Sequence, residues 1–109
     1  MIMLRITMNV LPGKQLEVNQ TLISMIEPTG KETGCLSYTV LRDVEDESLY
    51  TVLEAWKSRE DLDLHVKSHR FGVLLGIKTL LFEPLKIQIH TISQSEGTKA
   101  VYAIRGTKN

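Results

Sequence analysis

The chain has 109 residues, of which 42% are hydrophobic and 24% are charged, as is typical of one globular domain. Thirteen basic and thirteen acidic side chains give a formal net charge of zero. Because phosphate binding normally requires a basic excess, we predict no nucleic-acid partner. No apolar run reaches the roughly 18 residues that a membrane span needs, so we predict no membrane association. The lone cysteine, Cys35, forms no internal disulfide, and we expect a cytoplasmic protein.

The first third of the chain predicts a strand followed by a helix. Residues 2–10 alternate between apolar and mixed side chains, which is the period of a strand with one dry face. After the Pro12-Gly13 turn, apolar residues between positions 16 and 26 recur at helical spacing. Pro28 falls late in this pattern and is expected to kink or restart the helix.

The middle of the chain predicts a hairpin. Residues 35–42 and residues 49–56 both have the alternation of strands, and the polar segment 43–48 between them has the composition of a turn. We therefore expect these two strands to pair with each other.

Two serines mark the starts of helical segments in the second half. Ser58 stands three residues before Asp61, which is the spacing of a capping box. Ser68 is placed to cap a second helical segment. Pro84 then opens a last strand over residues 85–93.

The order of these elements, β-α-β-β-α-β, predicts an α+β fold of the ferredoxin-like type, with helices on one face of an antiparallel sheet. The other face of such a sheet needs water or a partner to cover it. The outer face of the first strand mixes polar and apolar side chains, namely Met3, Arg5, Thr7 and Asn9. This mixture suits a second sheet packed back to back, so we predict a homodimer through the sheet face.

The C-terminal tail predicts an extension beyond the main domain. We divide the chain into a domain over residues 1–93 and an extension over residues 94–109. Residues 99–105 alternate between two faces and are expected to form a short extra strand. Because a lone strand is not stable, this strand should add to a sheet edge, and we favour the edge of a partner subunit.

The stretch from Gly34 to Phe71 resembles the antibiotic biosynthesis monooxygenase family. The residues that carry the resemblance are Gly34-Cys35-Leu36-Ser37-Tyr38, Arg42-Asp43, Glu54-Ala55-Trp56-Lys57-Ser58, Leu62, His65 and Phe71. The resemblance extends over residues 2 to 92 and implies a dimeric α+β barrel closed by two sheets. Members of this family include oxygenases, isomerases and proteins of unknown activity, so the resemblance specifies the fold more closely than the chemistry.

His65 is the candidate catalytic residue. Together with Leu62, Val66 and His69 it falls at helical spacing on one face, and that face must look toward the sheet. An imidazole there can accept a substrate proton near neutral pH. The alternative is a core or helix-end histidine that is hydrogen-bonded to the backbone.

Three aromatic side chains are the candidate substrate-binding residues. Trp56 and Tyr38 lie on adjacent predicted strands, and Phe71 lies on the following helical segment. They suit a cavity for a flat aromatic substrate, in which the Tyr38 hydroxyl fixes the orientation. The alternative is ordinary core or interface packing. The polar strand residues Arg5, Asn9, Arg42 and Glu54 are expected to form a salt-bridged dimer interface.

The sequence predicts no metal and no cofactor. His65 and His69 have the i, i+4 spacing of a metal site, but no Glu follows His65 and Ser68 is expected to break the helix. In haem-degrading relatives the functional positions correspond to Ile6, His65 and Leu75 here, so the axial histidine of those relatives is missing. No glycine-rich loop is present to hold the phosphates of a flavin.

The resemblance favours a cofactor-independent monooxygenase acting on a small aromatic or quinol-type substrate. A phenol or enol that His65 deprotonates becomes electron-rich enough to reduce dioxygen, with Tyr38 or Trp56 donating to the oxyanion. Two other functions stay open. One is an isomerase or processing enzyme for a small hydroxy-carbonyl metabolite, and the other is a non-catalytic, ligand-binding dimeric protein.

Overall fold

A computed structural model describes residues 1–106 of the chain. Its elements are β1 (Ile2–Asn9), α1 (Gln15–Gly30), β2 (Cys35–Arg42), β3 (Leu49–Trp56), α2 (Arg59–Val66), α3 (His69–Leu75), a 3-10 helix (Gly76–Leu80), β4 (Lys86–Thr91) and α4 (Thr98–Arg105). As far as β4 this is the predicted order, with the second helical region divided into α2 and α3. The predicted ferredoxin-like α+β fold is confirmed.

The four strands form one antiparallel sheet in the order β2-β3-β1-β4. The alternation of β1 puts Leu4, Ile6 and Met8 on the helix side, where each is at most 1% exposed. From α1, Val18 and Leu22 complete the same core. Burying each of these aliphatic side chains stabilises the fold by roughly 1.5–3 kcal/mol.

Serine caps start both α2 and α3, as predicted. The Ser58 hydroxyl accepts a hydrogen bond from the Asp61 amide at 3.2 Å and donates one to the Asp61 carboxylate at 2.9 Å. The Ser68 hydroxyl accepts from the Phe71 amide at 3.2 Å and donates to the His65 carbonyl at 2.6 Å. The second cap ends α2 before His69, so His65 and His69 lie on separate helices.

Gly34 connects the start of β2 to the start of α2. Its φ is +79°, a conformation that favours glycine. A Cβ at this position would collide with the Asp61 side chain, and the Gly34 carbonyl accepts a hydrogen bond from the Lys57 amide at 2.8 Å. The absence of a side chain therefore lets the capped end of α2 approach the sheet closely.

The prediction of a short extra strand over residues 99–105 is wrong, because Thr98–Arg105 forms the helix α4. Ala100 and Ala103 favour a helix over a strand, and Gly106 ends it in the left-handed conformation with φ +75°. The helix buries none of its residues. Pro28 does not restart α1, which continues to Gly30.

The sheet face opposite the helices carries mostly half-exposed and exposed side chains. A cleft of about 300 Å³ on this face is lined by Met3, Arg5, Leu41, Thr51, Leu53 and His90. Among residues 1–106, no helix is both long enough and apolar enough to cross a membrane.

Candidate active site

His65 lies on the side of α2 that packs on the sheet and is only 3% exposed. Leu62, one turn earlier on the same helix, is fully buried beside it. The helical spacing that selected His65 in the sequence therefore predicted its orientation correctly. Two further residues of that pattern, Val66 and His69, are exposed.

Aromatic rings enclose the imidazole of His65 on two sides. The Trp56 ring stacks on it with the ring centroids 4.6 Å apart and the planes inclined by 29°. The Phe71 ring meets it edge-on, with centroids 5.3 Å apart. The structure thus brings together three of the four residues that the sequence proposed for the site.

Both nitrogens of His65 face carboxylates. Nδ1 lies 2.9 Å and 3.1 Å from the two oxygens of Glu32. Because a carboxylate only accepts hydrogen bonds, Nδ1 carries a proton. Nε2 lies 3.1 Å from Oε1 of Glu54, but the two atoms are not aligned as a hydrogen bond. Nε2 consequently has no hydrogen-bond partner within residues 1–106.

Glu54 is fully buried on β3. Its Oε1 accepts a hydrogen bond of 3.0 Å from the Trp56 indole, while Oε2 has no partner within the described part of the chain. The expectation that Glu54 forms a dimer salt bridge is wrong. Glu54 stands two residues before Trp56, so both side chains point to the helix side of the sheet.

Glu32 connects this buried cluster to the surface. Its side chain is 22% exposed, and its Oε2 lies 3.1 Å from a guanidinium nitrogen of Arg70, a side chain that is 37% exposed. Charged groups therefore run inward from Arg70 through Glu32 and His65 to Glu54.

The two carboxylates determine the protonation of His65. Burial alone would lower the pKa of His65, but the nearby negative charge of Glu54 and the hydrogen bond and negative charge of Glu32 outweigh it, so the pKa is raised above its usual value. The imidazolium form is stabilised between two anions. The site can therefore take up a proton and hold it.

Tyr38 and Cys35 are kept neutral beside this cluster. Tyr38 lies opposite Glu54 in the β2–β3 register, and its buried hydroxyl has no partner within the described residues. Burial, and then the charge of Glu54, raise the pKa of Tyr38. Burial and the charges of Glu54 and Glu32 also raise the pKa of the Cys35 thiol. The neutral Tyr38 hydroxyl therefore keeps a proton that it can donate to a ligand, and Cys35 is a poor nucleophile.

Four clefts in residues 1–106 have linings that do not include His65, Tyr38, Trp56 or Phe71. One of them, of about 380 Å³, is lined by the neighbouring residues Ser68, His69 and Arg70. Within residues 1–106, no three His, Cys, Asp or Glu side chains are arranged to hold a metal ion.

Sequence reasoning missed Glu32 and Arg70 entirely. Glu32 lies in the turn after α1, where nothing in the local pattern indicates the direction of a side chain. Arg70 follows the Ser68 cap, and the sequence there gives no sign that it differs from an ordinary exposed arginine. Glu54 had a usable signal, because it shares the strand face of Trp56.

The fold and the buried cluster define a ferredoxin-like α+β protein with a carboxylate-flanked histidine between its sheet and its helices. A model of the family described as "Antibiotic biosynthesis monooxygenase" matches residues 1–74. The chain therefore belongs to the antibiotic biosynthesis monooxygenase family.

Individual proteins are similar to this chain in sequence or in fold. A conserved protein of Methanosarcina mazei Go1 is 32% identical, with a TM-score of 0.77 over 82% of this chain and 89% of that one. A Deinococcus radiodurans protein described by the same family name shares the fold, with a TM-score of 0.81, 20% identity and coverage of 89% and 97%. An uncharacterized Synechocystis protein is 29% identical over 78% of this chain. The match spans only 58% of that Synechocystis protein.

Proposed function

We propose that the protein is a cofactor-independent monooxygenase that acts on a small aromatic or quinol-type substrate, with His65 as the general base. The observation that carries this proposal is the asymmetry at His65. Its Nδ1 is held by Glu32 at 2.9 Å, whereas its Nε2 has no hydrogen-bond partner within residues 1–106. A histidine oriented by a carboxylate on one nitrogen is a general arrangement for taking a proton on the other.

The first step is proton transfer from the substrate hydroxyl to Nε2 of neutral His65, the form that predominates above the raised pKa of the folded protein. The O–H bond breaks, and the electron pair stays on the substrate oxygen. Glu54 lies 3.1 Å from Nε2 and stabilises the imidazolium that forms, while Glu32 fixes the ring through Nδ1. The neutral hydroxyl of Tyr38 donates to the substrate oxyanion.

The second step is oxidation of the deprotonated ring by dioxygen. One electron passes to dioxygen, and the resulting radical pair combines to form a carbon–oxygen bond. The proton stored on His65 passes to the peroxide, which loses water and leaves a carbonyl group. One oxygen atom enters the product and the other enters water. Trp56 and Phe71, which already pack against His65, are proposed to contact the substrate ring.

The experiment is incubation with a panel of naphthols and hydroquinones under ¹⁸O-labelled dioxygen. We expect one labelled oxygen atom in the product, detected by mass spectrometry. A product oxidised without incorporation of the label contradicts the monooxygenase proposal.

An isomerase of hydroxy-carbonyl compounds is the second candidate. The specific observation in its favour is the raised pKa of His65, which suits a group that both accepts and returns a proton near neutral pH. Such a reaction consumes no dioxygen, so turnover of small hydroxy-carbonyl compounds under nitrogen would support the isomerase, and turnover of the phenol panel only under dioxygen would support the monooxygenase.

We also propose a homodimer through the open face of the sheet. The half-exposed apolar side chains of the cleft on that face, including Met3, Leu41 and Leu53, favour burial against a second copy. Light scattering at micromolar concentration tests this, and a purely monomeric protein contradicts it.

A further inference from the structure

We infer that the cleft beside α1 and α3 binds a small aromatic carboxylate through Arg70, and that the bound anion is coupled to His65 through Glu32. This inference goes beyond the proposed reaction, because both the binding and its effect on His65 are measurable without turnover.

The cleft has the size and composition of a small-molecule site. Its volume is about 380 Å³, within the usual range for ligand pockets, and it is lined by Ser24, Met25, Ser68, His69, Arg70 and Val73. Met25 and Val73 supply apolar contact area, while His69 and Arg70 supply N–H donors. No acidic residue lines it. This lining suits a ring that carries a negative charge.

Arg70 is the group that recognises the anion. One guanidinium nitrogen lies 3.1 Å from Glu32, and a guanidinium has five N–H donors in total. The side chain is 37% exposed and lines both this cleft and a neighbouring one of about 540 Å³. Arg70 therefore has the capacity to bind a carboxylate from solvent in addition to Glu32.

The coupling follows from the carboxylate that Arg70 and His65 share. Oε2 of Glu32 lies 3.1 Å from Arg70 and 2.9 Å from Nδ1 of His65. While Arg70 holds Glu32, its positive charge opposes a positive charge on His65. An anion that pairs with Arg70 neutralises the positive charge of the guanidinium. The negative charge of Glu32 then acts mainly on His65. The bound anion thereby stabilises the imidazolium.

The other groups around His65 do not supply this effect. Glu54 faces His65 from β3 and is fully buried. Tyr38 and Cys35, on β2, stay neutral because burial raises their pKa values. The change of charge at the surface therefore reaches His65 through Glu32. Because coupling is reciprocal, the anion also binds more tightly when His65 is protonated.

The experiment is an NMR titration of the full-length protein with benzoate, with neutral benzamide as the matched probe. We expect benzoate to bind at least about tenfold more tightly than benzamide, the usual scale for one charge-assisted hydrogen bond. Saturating benzoate is expected to raise the measured pKa of His65, and benzamide is expected to leave it unchanged.

Arg70→Gln and Arg59→Gln, which each remove one positive charge, locate the binding site. Arg70→Gln is expected to abolish the preference for benzoate over benzamide, whereas Arg70→Lys retains part of it. Arg59→Gln removes an exposed arginine that pairs with Asp63 on α2 and is expected to bind benzoate like the wild type. Far-ultraviolet circular dichroism confirms that each variant is folded.

Three results would overturn the inference. The first is equal affinity for benzoate and benzamide, and the second is unchanged benzoate binding in folded Arg70→Gln. The third is benzoate binding that leaves the pKa of His65 where it was, which would remove the coupling. None of these results depends on whether the protein consumes dioxygen.

Discussion

Trp56 and His65 are joined both by stacking and by a shared carboxylate. Their ring centroids are 4.6 Å apart, and Oε1 of Glu54 lies 3.0 Å from the indole nitrogen and 3.1 Å from Nε2 of His65. The strand β3 thus supplies both the aromatic surface against the imidazole and the negative charge beside it. The position of His65 is fixed by the core of the protein.

Glu54 is the first test of this arrangement. Glu54→Ala leaves the buried indole of Trp56 unpaired and removes one partner of a buried ion pair, so we expect the free energy of unfolding to fall by about 3 kcal/mol or more. Glu54→Gln keeps a hydrogen-bond acceptor for the indole and should cost distinctly less. Urea unfolding measures both.

The control for Glu54 is Glu27→Ala, because Glu27 pairs with Lys31 while its side chain remains 80% exposed. We expect this substitution to leave the free energy of unfolding nearly unchanged. Equal losses from Glu27→Ala and Glu54→Ala would contradict the role assigned to the buried carboxylate.

The raised pKa of His65 predicts how stability depends on pH. In the unfolded chain the histidine titrates near its usual value of about 6.5. Between that value and the higher pKa of the folded state, the folded protein binds more protons than the unfolded chain. The contribution of His65 to the free energy of unfolding is therefore fully present below the pKa of the unfolded state. It is lost as the pH rises through the pKa of His65 in the folded state.

Unfolding of the wild type and of His65→Gln, each measured from pH 5 to pH 9, checks this sign. We expect the wild type to lose its advantage over the variant as the pH rises through the folded pKa of His65. Parallel curves, or a wild type that gains stability relative to the variant, would show that the carboxylates do not hold His65 in its charged form.

Gly34 is expected to tolerate no side chain. Gly34→Ala forces a residue with a Cβ to adopt a φ of +79° and brings that Cβ into the Asp61 side chain, so we expect a loss of about 1–3 kcal/mol. Gly72→Ala is the matched control, since Gly72 lies within α3 and its Cβ would meet open space. This control should gain about 0.5–1 kcal/mol from helix propensity. A neutral Gly34→Ala would show that the close approach is unimportant.

The tail provides a prediction about assembly. Because α4 buries none of its residues and exposes Val101 and Ile104, truncation after Ser93 should leave the free energy of unfolding of the subunit unchanged. We expect the truncation to weaken dimerisation, as it would if α4 packs against a partner subunit. Sedimentation equilibrium on both lengths measures the difference, and identical dimer affinities would assign α4 no role in assembly.

The sequence predicted those features that depend on local patterns. The alternation of β1, the Ser58 and Ser68 caps and the helical spacing around His65 each depend on neighbours within a few residues. These features can therefore be predicted without knowing how distant parts of the chain pack together. The helix α4 was missed because its apolar positions fit both a strand and a helix, and its helix-ending Gly106 was overlooked.

The part of the site that could not be predicted depends on long-range approach. Glu32 and His65 are 33 residues apart in the chain, and they meet only because α1 and α2 pack on the same face of the sheet. Arg70 reaches Glu32 by the same packing. No local pattern encodes such a contact. Only Glu54 had a local signal, because it stands two residues before Trp56 on β3 and therefore shares the same face of the sheet.

The role of His65 as the base of an oxygen-consuming reaction is tested most directly by the rate of dioxygen uptake with the naphthol and hydroquinone panel. We expect the wild type and Arg59→Gln, which changes an exposed residue of α2, to consume dioxygen at similar rates. His65→Ala should be slower by at least about a hundredfold, the usual scale for loss of a general base. A His65→Ala protein that keeps the wild-type rate and only melts at a lower temperature would contradict the claim, and so would a wild type that consumes no dioxygen with any substrate of the panel.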